Sequence, residues 1–547
     1  MSNASNKDLH LAAAPKSLWE AARFIAGLTL ISKLLGALRD WQIFHVFGAS
    51  QATDAYFAAV QIPWYSLILL GGLGGPFHSA VVAVFSKLVE PGKPPSTETV
   101  RLANYVLAVV GVVFMAISLV LAFASQPVMA LLLGGKSPGS AMVVLAAKHL
   151  QIMAPVVFFG GWIGVYYGLL NVYHHYLWPS LSPALMNVVM MGMLLIFPVD
   201  SQGLVLSYAT VVGAFLQWLM QVVPSVKLGW RPLLTQWLKP QFWQLAQDPQ
   251  VKALALLIGP MLVGTTIGQL LVMVDMLFVS HLEPGAWSAV VLSNRLLQLP
   301  IGVLQTALLV PLFPRFSAAV GRDDWQSLQL DLRRGIVPLW VVSIPMLLAI
   351  IFLGEPLIRL VFEHGAFTQR DTALVSLALT YQSLQIIPYF ARDTFIRVFY
   401  AFGNSWTPLW VSLLAIAIKW GLNALLVERL GLGGITLSTA LVTTINMVLL
   451  GALMAVSYRE KVLPPLRELL GVLGQCVVVL AIMGLVCGSY LIGVSSVGLS
   501  GLTFLSLAER LVLLVLLLAV FFVWLWKTRL PEITLLLNKA KRAVTLD

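Results

Sequence analysis

Of the 547 residues, 59% are hydrophobic and only 10% are charged, whereas soluble domains carry about 25% charged residues. That deficit excludes a soluble enzyme, a disordered chain and a nucleic-acid-binding module. The formal charge of +11 suits a membrane protein, because cytoplasmic loops collect Lys and Arg. A spanning helix needs about 20 mostly apolar residues. About fourteen such segments follow in chain order by that criterion: 19–48, 54–87, 101–125, 142–173, 179–198, 203–226, 250–281, 285–314, 335–362, 372–402, 408–427, 433–456, 467–492 and 507–528. Pro or Gly punctuates several boundaries, among them Pro179, Gly203, Pro408 and Gly434, as turn chemistry requires.

The first 18 residues are polar, and no clean apolar run with a small-residue cleavage site follows, so segment 1 is expected to stay in the mature protein. With the N-terminus inside, about 21 Lys and Arg fall on the inner side and about 4 on the outer side. Lys136, Arg370, Arg429 and Arg510 make up the outer set. Both termini are then cytoplasmic. Residues 229–249 carry Trp230, Trp237, Phe242 and Trp243 among basic residues, a composition suited to an amphipathic segment on the inner leaflet. No loop is long enough for a soluble catalytic domain. Cys476 and Cys487 lie about 16 Å apart along one helix, too far to bridge.

The two halves resemble each other at an offset of roughly 229–237 residues. GLVLSYAT at Gly203 pairs with GITLSTAL at Gly434, Pro179 with Pro408, Pro63 with Pro300, and Asp40 with Asp275. Six segments per half make the repeats parallel. The expected fold is an all-α polytopic membrane protein of two six-helix lobes plus two C-terminal helices. Its parts are a cytoplasmic segment 1–18, an N-lobe 19–228, an interfacial linker 229–249, a C-lobe 250–456, helices 13 and 14 over 457–530 and a cytoplasmic tail 531–547. Duplicated bundles of this kind carry a cavity between lobes that rock against each other, so transport is the expected function class.

A charge at the bilayer centre costs about 2.5–3.5 kcal/mol on insertion scales, so each one needs a reason. Segment 1 carries Ser32, Lys33, Arg39 and Asp40, segment 2 begins at Asp54, and segment 8 carries Asn294, Arg295 and Gln298. Lys33, Arg39 and Arg295 converging on a cavity would suit a phosphate or diphosphate. The competing reading locks Arg39 to Asp40 or Asp54, and Arg397 to Asp393 one turn away; for Arg392 and Arg397 an anchoring role is preferred. The run GGLGGP from Gly71 to Pro76 predicts a break in segment 2, tolerated where the backbone is buried or lines a cavity. Asp275, Lys419, Asn423 and Thr439 form a second polar set. Asp275 with Asn423 and Thr439 could hold a small cation, but an Asp275–Lys419 ion pair is the better reading. No metal or nucleophile motif is present, His174-His175 reads as an interfacial pair, and no cofactor or enzyme chemistry is expected.

The stretch ISKLLGALRDWQIFHVFGASQATDAYFAA resembles the opening of the MurJ/MviN family of lipid II flippases, within the multidrug/oligosaccharidyl-lipid/polysaccharide exporter superfamily. GLLNVYHHYLWPSLSPALMN, SNRLLQLPIGVLQTALLVPLFPRFS and FIRVFYAFGNSWTP are similar to family signatures too. The resemblance covers about residues 20–456. It implies a groove for a polyprenyl tail along helices 13 and 14. It also implies transfer of undecaprenyl-diphosphate-linked peptidoglycan precursor across a bacterial inner membrane by alternating access. The partners implied are lipid II or a related polyprenyl-diphosphate glycan, the bilayer, and cell-wall synthesis proteins. Substrate-binding positions carried over are Ser32, Lys33, Arg39, Asp54, Ser288 and Arg295. The chain departs from the family pattern at Gln61 and Leu67, where basic residues are usual, and at Asn294 and Gln298, where some relatives are acidic. Leu67 and Gln61 favour one alternative, a flippase for another polyprenyl-linked oligosaccharide; a second alternative is an ion-coupled small-molecule exporter of the same superfamily, which would require an ion at Asp275. In some relatives a sodium ion sits at positions resembling Asp275, Asn423 and Thr439; Lys419 intrudes there, and weak or absent sodium binding is expected.

Overall fold

The structure, a computed structural model, describes residues 18–71, 76–90, 93–134, 136–232, 237, 239–309, 311–495 and 507–528. Regular structure among them is helical throughout. The chain divides into two compact units, one of residues 1–288 with 365–367, the other of 289–364 with 368–547.

The first unit holds α1 (Leu18–Phe47), α2 (Gln51–Gly71), α3 (Pro76–Phe85), α4 (Thr97–Phe123), α5 (Ser125–Leu132), α6 (Ala141–Met153), α7 (Pro155–Val172), α8 (Leu177–Ile196), α9 (Leu204–Lys227), α10 (Pro240–Trp243) and α11 (Pro249–Val279). It also takes the first turn of α12 (Ala286–Leu304). Helix α7 sits at the centre, packed against α2, α3, α4 and α9. Its small residues allow that approach, as in other membrane bundles. A Cβ on Gly168 would meet Val81 Cγ1 at 2.6 Å, and one on Gly161 would meet Val110 Cγ1 at 2.8 Å. Phe77, Val81, Phe85, Leu107, Val165 and Leu169 fill the surrounding core.

The second unit continues through the rest of α12, a π-helical stretch over Gln305–Leu309, α13 (Leu312–Gly321), α14 (Trp325–Phe362), α15 (Gln369–Ser383), α16 (Ile386–Ala401), α17 (Trp406–Leu430), α18 (Leu432–Ser457), α19 (Arg459–Ser495) and α20 (Leu507–Thr528). Helix α14 is its spine and packs against α13, α15, α16, α19 and α20. The buried Trp340 indole donates to the Ile387 carbonyl at 2.9 Å. Arg510 of α20 donates to Glu355 of α14 at 2.8 Å, so the last helix is tied to the spine by a largely buried ion pair.

Each of the fourteen apolar segments corresponds to one helix or to a broken pair. Ten described helical stretches are long and apolar enough to cross a membrane. The other four segments contain α1, the α2–α3 pair, α11 and the α15–α16 pair. The expected break in segment 2 separates α2 from α3, although residues 72–75 lie outside the described residues. Further interruptions fall at Ala154 before Pro155 and at Leu384–Gln385 before Pro388, where proline removes a backbone donor. Cys476 is a free, buried thiol within α19.

Two features differ from the sequence reading. Compact packing divides the chain after Ser288, not at 250, because α11 packs against α2, α3 and α5. The linker aromatics are also not all laid out for a leaflet. Trp230 is buried against Phe85 and Tyr173, and Phe242 is buried against Tyr105. Asn104 holds the Arg231 carbonyl at 2.9 Å, and only Trp243 of this group is exposed. Core burial of these rings removes more apolar area from water than an interfacial position would.

Candidate functional site

In α1 the polar residues fall into two environments. Lys33 is exposed, flanked by the exposed Leu30, Ile31 and Leu34, and Ser32 is half-buried. Six residues on, Arg39 is 6% exposed. Its Nε and Nη2 donate to Asp40 Oδ1 at 3.0 and 2.7 Å. Its Nη1 donates to Asn187 Oδ1 of α8 at 2.8 Å. The guanidinium also lies 5.8 Å from the Trp64 ring. Asn187 in turn donates to the Ser32 carbonyl at 3.2 Å. Arg39 is thus paired inside the unit, as the anchoring reading proposed, and does not lie open beside Lys33. The planar guanidinium suits this role, because it can serve a carboxylate and an amide at once.

Asp54 and Ser288, which are 234 residues apart, are brought into contact. Asp54 Oδ2 accepts the Gly285 backbone N–H at 2.7 Å. Its Oδ1 accepts both the Ser288 backbone N–H at 2.7 Å and the Ser288 hydroxyl at 2.6 Å. The carboxylate therefore caps the N-terminus of α12 from another helix, where unpaired donors and the helix dipole favour an anion. The Ser288 hydroxyl oxygen also lies 2.9 Å from Thr53 Oγ1, and Thr53 donates to the Gly48 carbonyl at 3.1 Å. Gly285 has φ +94°, and a Cβ there would meet the Ala49 carbonyl oxygen at 2.3 Å. Only glycine fits this close approach.

On the second unit's part of α12, Arg295 is half-buried while Asn294 and Gln298 are exposed. Of the departures from the family pattern, Gln61 and Leu67 are half-buried on α2. In the second polar set, Lys419 is 2% exposed and its ammonium donates to Thr439 Oγ1. Asn423 is fully buried and accepts from the Ser438 hydroxyl. Asp275 is buried in the first unit. Among the described residues no group of three His, Cys, Asp or Glu is placed to hold a metal ion. Arg397 pairs with Asp393 at 3.0 Å, and Arg392 lies 4.7 Å from the Tyr389 ring. His174 takes a left-handed backbone, φ 59°, and its ring bonds the Tyr176 hydroxyl at 2.8 Å.

Three residues at these sites escape a sequence reading: Asn187, Thr53 and Gly285. Asn187 ends one of the signature stretches, and an amide in an apolar helix was the available signal. Nothing local marks Thr53 or Gly285.

A family profile described as Lipid II flippase MurJ matches residues 43–508. The probable lipid II flippase MurJ of Synechocystis sp. is 32% identical over 446 residues, covering 79% of this chain and 81% of that protein. The lipid II flippase MurJ of Burkholderia cenocepacia is 28% identical over 437 residues, covering 79% of this chain and 83% of its own length. A solved structure described as lipid II flippase MurJ in an inward closed conformation superposes with a TM-score of 0.70 at 21% identity, over 92% of this chain and 98% of that one. An inward-facing multidrug resistance transporter of the MATE family gives 0.56 at 15% identity, over 78% of this chain.

Proposed function

The chain belongs to the lipid II flippase MurJ family, and we infer that it carries lipid II from the inner to the outer leaflet of a bacterial cytoplasmic membrane. The observation that carries this reading is the family match, continuous from the end of the first helix to the start of the last. We further propose alternating access, with both termini cytoplasmic in keeping with the Lys and Arg bias. In this reading Lys33 and Arg295 contact the diphosphate, and Arg39 shapes the site from behind. A diphosphate crosses a low-dielectric barrier only when its charge is neutralised, which accounts for cations kept in spanning helices at a cost. What supports Lys33 is its exposure on α1 with apolar neighbours. The polyprenyl tail would stay in the bilayer or along α19 and α20.

The Asp54 junction supports a second role for its residues. Three hydrogen bonds on one carboxylate form a latch between α2 and the start of α12. On the proposed orientation it lies on the outer face, where it would have to open for release. Lys419 bears on energy coupling. Its ammonium sits on Thr439, so the position that would receive a small cation already holds a positive charge, and we propose transport without sodium coupling.

The test is rescue of a bacterium depleted of its own lipid II flippase, with outer-leaflet lipid II assayed directly. Rescue by the wild type and failure of Lys33→Ala and Arg295→Ala, at equal expression, is the expected outcome. An inserted wild-type protein that leaves lipid II inside would shift the substrate to another polyprenyl-linked glycan and make Gln61 and Leu67 the positions to exchange first.

A further inference from the structure

The first unit contains a cavity of about 180 Å³ to which the transport reading assigns no ligand. It lies where the start of α2, the α5–α6 turn and the α11–α12 turn meet. Its walls are tightly knit. The Lys136 ammonium donates to the Ser280 carbonyl at the C-terminal end of α11, where a cation is favoured. The Ser280 hydroxyl bonds the Leu133 carbonyl at 3.1 Å. Gly134, at φ +75°, sits so close to α11 that a Cβ would meet Leu277 O at 2.8 Å.

The lining combines two kinds of surface. Leu133, Met142, Met276 and Leu282 form an apolar floor. Gln51 and Glu283, both exposed, stand among the lining polar residues. Trp287 also lines the cavity; it is 4% exposed, and its indole Nε1 is buried with no hydrogen-bond partner. The indoles of Trp218, Trp230 and Trp237 are also unpartnered, but each packs against another aromatic ring. Among the described residues Trp287 has no such ring and borders empty space instead. A buried donor without a partner is costly to keep, so a ligand acceptor reaching it would be bound with gain.

We propose that this cavity is a subsite for the acetamido group of an N-acetylated amino sugar. The acetamido methyl lies against Met142, Met276 and Leu282, its carbonyl accepts the Trp287 N–H, and ring hydroxyls reach Gln51 and Glu283. A compact apolar pocket with a few placed polar groups is the usual form of a small-ligand site. The inference rests on the lipid II reading, since that head group carries N-acetylated sugars. It extends that reading by giving the exit face a sugar contact beside the Asp54 latch, for Asp54 lines the same cavity.

The test uses the full-length protein in nanodiscs with N-acetylglucosamine as probe and glucosamine and glucose as controls. Saturation-transfer NMR should show the acetamido methyl as the most strongly saturated group, with neither control competing. Trp287→Phe, which keeps the ring and removes the donor, should weaken binding about tenfold, the scale of one hydrogen bond. Met142→Trp, which fills the floor, should abolish it, and it decides the matter if the Trp287 variant fails to fold. Equal binding of all three sugars, or wild-type affinity in Met142→Trp, would overturn the proposal. The same preparations are assayed for lipid II transfer. Transfer without sugar binding removes the subsite alone, whereas absence of transfer removes the lipid II reading.

Discussion

Lys33 on α1 in the first unit and Lys419 on α17 in the second both stand within apolar helices, and their surroundings are opposite. Lys419 is 2% exposed and bonded to Thr439, one turn from a buried Asn423 that is itself bonded to Ser438. Lys33 is exposed among apolar residues. A buried charge is held only where partners offset its desolvation, so Lys419 belongs to the packing. An exposed ammonium on an apolar helix is costly in a bilayer, which is the ground on which Lys33 is proposed as a substrate contact. Arg39 falls on the Lys419 side of this contrast. All three of its guanidinium nitrogens donate to Asp40 or Asn187, although a cation at that position reads from sequence as a ligand.

The contrast can be broken at several points, taken here in order of expected loss of stability. Arg39→Ala removes both hydrogen bonds that Arg39 makes to the buried Asp40 carboxylate and should cost about 3–5 kcal/mol, seen as a large drop in unfolding temperature in detergent. A variant as stable as wild type that still fails to transport would place Arg39 with Lys33 instead. Asp54→Ala removes three hydrogen bonds from the α12 N-terminus and should cost about 3 kcal/mol, while Ser288→Ala, which keeps the backbone bond, should cost about 1 kcal/mol. Gly285→Ala should resemble Asp54→Ala, because a Cβ 2.3 Å from the Ala49 carbonyl oxygen pushes the turn off the carboxylate. If the two glycine and aspartate variants differ widely in unfolding temperature, the junction is not one unit.

Lys419→Met should cost about 1–2 kcal/mol by leaving Thr439 with one partner fewer. Wild-type lipid II transfer in vesicles should be unchanged when sodium is replaced by potassium, and a collapse in potassium would mean that the ammonium does not stand in for a cation. Lys33→Ala should change stability by no more than about 0.5 kcal/mol, as exposed substitutions do, and yet abolish rescue. A folded Lys33→Ala protein that rescues normally would end the assignment of Lys33 to the substrate.

Much of the fold is legible in the chain because hydropathy and proline are local signals. The segment at 250–281 marks a helix that the structure places at Pro249–Val279, and the prolines at 155 and 388 lie where broken pairs restart. Pro63 and Pro300, matched as repeat positions, are both interior to their helices, α2 and α12. The linker misled for the same reason: Trp230 and Phe242 among basic residues look interfacial until α3 and α4 are seen to cover them.

What the sequence by itself determined is therefore the all-helical membrane class, the fourteen apolar segments and the residues whose charge requires an explanation. Composition, period and breakers act over a few residues, and the bilayer turns them directly into spans. What only the tertiary structure decided is which polar group meets which. Asn187 reaches Arg39 across 148 residues and Asp54 reaches Ser288 across 234, and no local pattern carries that pairing. In a low-dielectric interior a polar group left without a partner is costly. The choice among distant candidates is made by helix packing, where a missing Cβ at Gly285 or Gly168 sets how near two backbones come.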